Sequence, residues 1–439
     1  MRGEIKMRKL KFSFLLMALL VFIAGCGAGN DSKKDSSKSN GKTTMTVATL
    51  TGGNNEIYAE LIGKEISSFN ENNKFNVELV QEAYSNEQYK TKLTTLMSSN
   101  AQPDIFFTFE SGFLQPFVDG GKVYPISEAI EADQEWSDRY PDKSIFGPVT
   151  IEDKFYAVPN TRQLVTMTYN TQLFKEAGVS KPTTYQEFLD VCKALKSKGI
   201  TPLAVPAQEA WYSGQLLQQL ANIVGGEELF NGTVDGTIKW NDKRYVKAGE
   251  MLQELVDKEY LVEGFLGMTP NEAFDKFNKS EVGMMMNLTS AVTMFNDKDN
   301  PIYDDIDFFR LPADEEVNQN INVGSTGQMF AVSSQAKNIE AASAFIKQLT
   351  EKQFQQELVN LGQVLVTNTE VDYTKTDEMS LRMGEIFTDV TLYTPWLDRI
   401  FGAGEGIEFN NAAVAIMAGG NPQEKLDDLQ QFALDNSDR

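Results

Sequence analysis

The 439-residue sequence contains no histidine, which excludes Ser-His-Asp and Cys-His catalysis and every His-ligated zinc or iron site, whatever the fold. Cysteine is almost absent as well. Of its two cysteines, Cys26 sits at the end of a hydrophobic leader and Cys192 inside a helical pattern, so neither a disulfide framework nor a thiolate metal site is credible. Positive charge is also short. The 40 Lys and Arg stand against 62 Asp and Glu, a formal −22, and such a surface repels phosphate backbones, so no nucleic-acid partner is expected. No repeat with a period of about 20 to 50 residues is visible, which removes solenoids. What is present is ordinary globular composition, 41% hydrophobic and 23% charged, on a chain long enough for two domains.

Arg2, Lys6, Arg8, Lys9 and Lys11 precede an apolar run over residues 12–24 that is broken by Ser13 alone, the n-region and h-region of a secretory signal. At about 13 residues the run falls short of the roughly 20 a spanning helix needs, so a retained transmembrane anchor is the weaker reading. It ends in Ile23-Ala24-Gly25-Cys26, which resembles a bacterial lipobox and implies a diacylglycerol on the Cys26 thiol; the alternative is a chance thiol near a cleavage site. Residues 1–25 are therefore expected to be a lipoprotein signal peptide, and residues 26–44, polar and rich in Gly, Ser and Lys, a flexible tether. Removal of residues 1–25 takes away those basic residues and a single acid, Glu4, leaving a body more acidic than the whole chain.

In the body, residues 45–50 (MTVATL) read as a buried strand, and Ile57, Leu61, Ile62, Ile66 and Phe69 follow at helical spacing. Residues 75–80 alternate as a strand, 89–97 are helical, and Pro103-Asp104 opens the apolar strand 105–107. This rhythm calls for a parallel sheet with helices on both faces, and ligands in such sheets sit beyond the carboxyl ends of strands. The loops at 51–53 and 108–112 should therefore lie close together. A second α/β unit has strands at 164–169 and 201–205 around a helix capped by Thr183 or Thr184, with Glu187 three residues on and Gly199 as its stop. Cys192 falls on the apolar side of that helix as a core residue.

The decapeptide at 169–178, YNTQLFKEAG, is similar to the YN-x-x-L-F-x-x-A-G signature of the family 1 extracellular solute-binding proteins, the capture subunits of ABC importers. Residues 277–287 (FNKSEVGMMMN) and 327–362 resemble later segments of the same family in the same order. The resemblance implies a type II periplasmic-binding-protein-like α/β fold, two lobes with three crossovers and a ligand cleft between them. It places the crossings near residues 157–163, 322–328 and 362–366. One lobe would comprise 45–157 plus 327–362 and the other 158–326 plus 363–439. It further implies a carbohydrate ligand, mono- or short oligosaccharide, a membrane permease as partner, no cofactor, a monomer, and a lipid-anchored position outside the cytoplasmic membrane, in a Gram-positive bacterium.

A sugar site needs flat rings for C–H faces and carboxylates, amides or Arg for hydroxyls. Glu209, Trp211 and Tyr212 follow strand 201–205 at its carboxyl end, where the family presents a carboxylate and an aromatic; the alternative is a Trp that caps the next helix. Trp396 and Asp398 come from a loop that in the family folds across the cleft, against plain packing. Phe109 and Glu110 lie beyond strand 105–107, and Asn160, Arg162 and Gln163 at the first crossover, where Arg162 reads equally as a ligand contact or a surface ion pair. Asn287 closes a strand as an amide contact. Trp136 and Trp240, in polar surroundings, read as surface or structural.

Other chemistry fares worse. Ser334-Gln335-Ala336-Lys337 fits S-x-x-K but lacks S-D-N and K-T-G partners, so Ser334 reads as a helix cap. Gly41-Lys42-Thr43 lacks the upstream Gly of a P-loop, and the acid-rich stretch 297–307 has Pro301-Ile302 where a calcium loop needs its turn glycine. A polyamine, a polyol phosphate, and a glycosidase carboxylate pair remain as alternatives to sugar capture.

Overall fold

In the computed structural model, which describes residues 41–436 apart from 53–54, 141–142, 296, 316–317, 364–365 and 368–369, strand β1 (Thr43–Leu50) pairs in parallel with both β2 (Val77–Tyr84) and β3 (Ile105–Thr108). The expectations for the signal peptide, for Cys26 and for most of the tether lie outside those residues. Helix α1 (Glu56–Asn72) connects β1 to β2, and α2 (Asn86–Ser98) connects β2 to β3. Tyr58, Ala59, Leu61, Ile62, Ile66 and Phe69 form the buried stripe of α1, the spacing that seats a helix on a sheet, while Ile57, expected in it, is half-buried at its edge. The second strand runs later than its alternation suggested, Val77–Tyr84 in place of 75–80.

After a hairpin of β4 (Thr150–Ile151) and β5 (Lys154–Phe155), the long strand β6 (Val158–Asn170) changes partners part-way. From Val158 to Leu164 it lies antiparallel to β10 (Ile321–Val332). From Val165 onward it lies antiparallel to β8 (Val282–Leu288), with β9 (Ile306–Phe309) on its other edge. β7 (Thr201–Ala204) adds in parallel to β8, and β11 (Leu392–Thr394) to the start of β10, while the end of β10 returns antiparallel to β3. One nine-stranded sheet results, ordered β2-β1-β3-β10-β6-β8-β7. β6 and β10 carry the chain from one lobe to the other, and Val366 bridges to Thr161 where it passes again. The fold is a two-lobed α/β architecture.

Each lobe has its own core. Phe106, Phe330 and Phe345 centre the one on β1 to β3. In the other lobe Met284 and Met286 of β8 face the core around Phe188 and Tyr245, and Met285 faces that around Phe277 and Phe308, the strand's two-residue alternation. Cys192 is buried in the former, and burial pushes its thiol up. Trp136 and Trp240 are buried too, so the structural part of their reading stands and the surface part does not. The Trp240 indole donates to Glu405 and packs on nearby Tyr245 and on Phe401 and Phe409, so three of its four partners are distant in sequence.

Capping resolves two more readings. Thr184 is the N-cap of helix Tyr185–Ser197, accepting from Glu187 N, while the Glu187 carboxylate reaches back to Thr183 N at 2.7 Å. Ser334 is not a cap. Asn338 accepts from Ala341 N at 3.0 Å to start helix Ile339–Gln348, and the Ser334 hydroxyl donates to the Gly121 carbonyl.

Candidate functional site

Beyond β3 the chain presents Phe109 and then Glu110, the N-cap residue of α3 (Ser111–Asp119). Glu110 is fully buried, and both its carboxylate oxygens lie within 3.2 Å of Arg399 Nη1. Arg399 belongs to the short helix Leu397–Ile400, directly after Trp396. Its guanidinium carbon sits 4.1 Å from the centre of the Trp396 ring and 5.2 Å from that of Phe109, so one cation serves a carboxylate and two ring faces. The approach is tight. A Cβ on Gly112 would collide with the Ile400 carbonyl and Gly402 N, so the start of α3 docks backbone to backbone on the 400–402 segment.

The opposite wall begins at helix Ala210–Val234, whose N-cap position is Glu209. Trp211 lies in its first turn, with the indole N–H donating to Glu209 Oε2 at 2.6 Å and the ring stacked on Tyr212 at 3.7 Å between centroids. Trp211 is thus not the cap, a position held by Glu209, and its ring lines a cavity. Further along, a ladder of buried amides holds the 394–397 segment. Gln215 accepts from the Trp396 indole at 2.9 Å, Gln218 bonds both the Pro395 carbonyl and Leu397 N, and Asn222 donates to Thr394 Oγ1 at 2.8 Å. Amides at i, i+3 and i+7 face one side of the helix, so the segment carrying Trp396 is set by bonds from that face to both its backbone and its side chains.

Between the walls lies a cavity of about 40 Å³. Asn55, Asn86, Lys90 and Phe109 line it from one lobe, Trp211, Leu288, Trp396, Asp398 and Arg399 from the other, and Gln163, Gly327 and Gln328 from the crossing strands. Lys90 Nζ lies 3.8 Å from Asp398 Oδ2, which also accepts from Asn410 at 3.1 Å. Gln163 Oε1 accepts from the Ser290 hydroxyl at 3.0 Å. Gln328 takes a left-handed φ of 51° in β10 and donates to Asn55 Oδ1, a strained backbone beside the cavity at a crossing. A second cavity, of about 310 Å³, adjoins this one and shares Lys90, Phe109, Asp398 and Arg399 with it.

Of the residues singled out in the sequence, the fold brings Phe109, Gln163, Trp211, Trp396 and Asp398 to the cavity wall. Glu110 and Glu209 stand behind that wall, holding Arg399 and Trp211. Four others do not come to it. Asn160 is buried and donates to the Tyr58 hydroxyl, and Asn287, inside β8 and not at its end, exchanges bonds with Thr168. Tyr212 is buried beneath Trp211, where it supports that ring from behind. Arg162 precedes the cavity-lining Gln163 and so points to the opposite face of β6. The arginine at the cavity is Arg399. Its signal was its place one residue after Asp398, and that of Asn86 and Lys90 was their i, i+4 spacing just past a strand end.

A family model described as bacterial extracellular solute-binding protein matches residues 51–356. The chain belongs to the bacterial extracellular solute-binding proteins. This solute-binding protein is 26% identical over 205 residues to the multiple sugar-binding protein of Streptococcus mutans, covering 46% of this chain and 48% of that one. It is 28% identical over 200 residues to an ABC transporter extracellular-binding protein of Pyrococcus horikoshii, covering 45% and 44%. The chain thus spans about half the length of the curated relatives it matches. A structure from work on xylan utilisation by the thermophile Caldanaerobius polysaccharolyticus superposes with a TM-score of 0.82 at 26% identity, over 88% of this chain and 99% of that one. A chitin oligosaccharide binding protein superposes at 0.83 and 21% identity, over 91% and 100%, a likeness of fold. Among the described residues of this solute-binding protein, no helix is long and apolar enough to cross a membrane.

Proposed function

We propose that this solute-binding protein captures a neutral carbohydrate, a mono- or short oligosaccharide, and delivers it to the permease of an ABC importer. The observation that carries the reading is the pairing of Trp211 and Trp396 with Asp398, Asn55, Asn86 and Gln163 around one interlobe cavity. Indole faces suit sugar C–H surfaces, and carboxylates and amides suit hydroxyls. The cavity of about 40 Å³ holds no more than a few waters, so a sugar enters with the lobes further apart.

The same residues disfavour the alternatives. A polyamine would meet Lys90 and Arg399 in the cavity, and a polyol phosphate would meet Asp398 with Glu110 and Glu209 close behind. Binding without turnover is favoured over hydrolysis because each carboxylate is already engaged: Glu110 by Arg399, Glu209 by the Trp211 indole, Asp398 by Asn410 and Lys90. The same proposal includes a monomer anchored by lipid on Cys26 at the outer face of the cytoplasmic membrane of a Gram-positive bacterium. Incubation with candidate oligosaccharides tests the class: stoichiometric binding with intact ligand is expected, and repeated release of reducing ends would establish a hydrolase. Mass spectrometry of the mature N-terminus tests the anchor, with an unmodified Cys26 as the contrary result.

A further inference from the structure

The 310 Å³ cavity beside the sugar cavity is built from different material. Helix α2 supplies one side through Lys90, Thr91, Thr94 and Thr95, and Phe113 and Ile407 supply the other. Two of its hydroxyl donors are already used within the helix. The Thr94 hydroxyl donates to the Lys90 carbonyl at 2.8 Å and the Thr95 hydroxyl to the Thr91 carbonyl at 2.9 Å, so both side chains spend their donors on their own helix. At the passage between the two cavities Lys90 sits beside Asp398 and over the Phe109 ring, and Arg399 beside Glu110. Away from Lys90, Asp398 and Arg399 at that passage, what this space offers a ligand is mainly methyl groups, ring edges and aliphatic stems. Phe109 and Phe113 pack edge to face at 5.1 Å, with Ile407 exposed at the rim.

A hexose placed there would bring several hydroxyls against a wall with few uncommitted partners, and a polar group that loses water without gaining a bond costs about 1 to 3 kcal/mol. An apolar group loses nothing by the exchange. A cavity of about 310 Å³ lies at the lower end of small-ligand sites, roughly 300 to 1,000 Å³, and matches a fragment of a ligand whose remainder sits next door. We propose that this cavity is a subsite for an apolar aglycone, so that the preferred solute is a glycoside whose sugar lies between Trp211 and Trp396 and whose aryl or similar substituent passes under Lys90 and Arg399 to Phe113 and Ile407. The inference rests on the carbohydrate reading of the neighbouring cavity and adds the class of glycoside to it.

The test is calorimetry of the wild-type protein with methyl and phenyl glycosides, α and β, of glucose, galactose, xylose and N-acetylglucosamine, and with the free disaccharides of the same sugars. For at least one sugar the phenyl glycoside should bind roughly tenfold or more tightly than the methyl glycoside, the effect of burying one ring. Ile407→Asp, at an exposed first-turn position that tolerates an acid, and Thr94→Asp, on the exposed face of α2, should each bring that ratio towards one. Equal affinity for methyl and phenyl glycosides would overturn the aglycone subsite and leave the sugar reading standing. A disaccharide that gains as much as the phenyl group would overturn it in favour of a second sugar. Binding of none of these compounds would overturn the subsite together with the carbohydrate reading.

Discussion

Arg399 and Glu110 meet across the interlobe contact as an ion pair, with Nη1 3.1 and 3.2 Å from the two carboxylate oxygens, the Glu110 side chain wholly enclosed and Arg399 partly exposed. The two are far apart in sequence, Glu110 at the tip of β3 and Arg399 in the short helix after β11, so the pair ties the C-terminal segment to α3.

Loss of Arg399 strands the enclosed Glu110 charge. Arg399→Met should destabilise the protein by about 3 to 5 kcal/mol, and Glu110→Gln with Arg399→Met together should cost less than the two single changes summed. Urea unfolding of the three variants checks this. Single changes with no effect on the midpoint would remove the pair from the account.

Gln218 lines neither of the two cavities described but bonds the Pro395 carbonyl and Leu397 N, on either side of Trp396. Gln218→Ala should cost about 1 to 3 kcal/mol of stability and weaken sugar binding as well, since the freed segment carries both Trp396 and Asp398. Affinity equal to wild type would show that the amide ladder does not position the site.

With no histidine, no side chain of ordinary pKa titrates between roughly pH 6 and 8, so stability and affinity should be flat across that range. Below it stability should fall. Lys347 and then the Trp136 N–H hold the Asp133 carboxyl below its usual range, the Thr183 backbone and hydroxyl do the same for Glu187, and those of Thr269 for Glu272. A carboxyl lowered in the folded state stabilises fully above its unfolded value near about 4, and that contribution disappears as pH falls through the folded value. Glu65, raised by burial, acts in the opposite sense as a single half-buried group. Unfolding midpoints at pH 8, 7, 6, 4 and 3 measure the profile, and a slope between pH 6 and 8 would contradict it.

Burial raises the Cys192 thiol and keeps it off the surface, so native protein lacking residues 1–26 should not react with Ellman's reagent, and one thiol should react in urea. Rapid native reaction would mean that helix Tyr185–Ser197 opens readily.

Local patterns in the sequence carried the fold further than the site. The buried stripe of α1, the Thr184 and Glu187 cap and the core position of Cys192 follow from spacing within a few residues, and the structure has all three. Trp136 and Trp240 were harder, because the polar neighbours that suggested exposure say nothing of the distant residues that bury them, such as Phe401 and Phe409 on Trp240. At the site, Phe109, Trp211, Trp396 and Asp398 were legible because strand ends and a scarce residue type mark them. Asn160 and Asn287 were not, since an amide beside a strand end looks the same whether it faces a ligand or is spent on Tyr58 or Thr168. Arg399 shows the complementary case: its role depends on Glu110, almost three hundred residues earlier, and no local pattern encodes that pairing.

The central claim is that a neutral sugar binds between the lobes against Trp211. Calorimetry with a panel of mono- and disaccharides, and with spermidine as a control, on wild type and on Trp211→Ala tests it most directly. The account predicts one-to-one binding of a sugar, no binding of spermidine, and a loss of about five- to more than a hundredfold on removal of the ring, corresponding to about 1 to 3 kcal/mol. Unchanged sugar affinity in Trp211→Ala, or binding of spermidine and of no sugar, would contradict it.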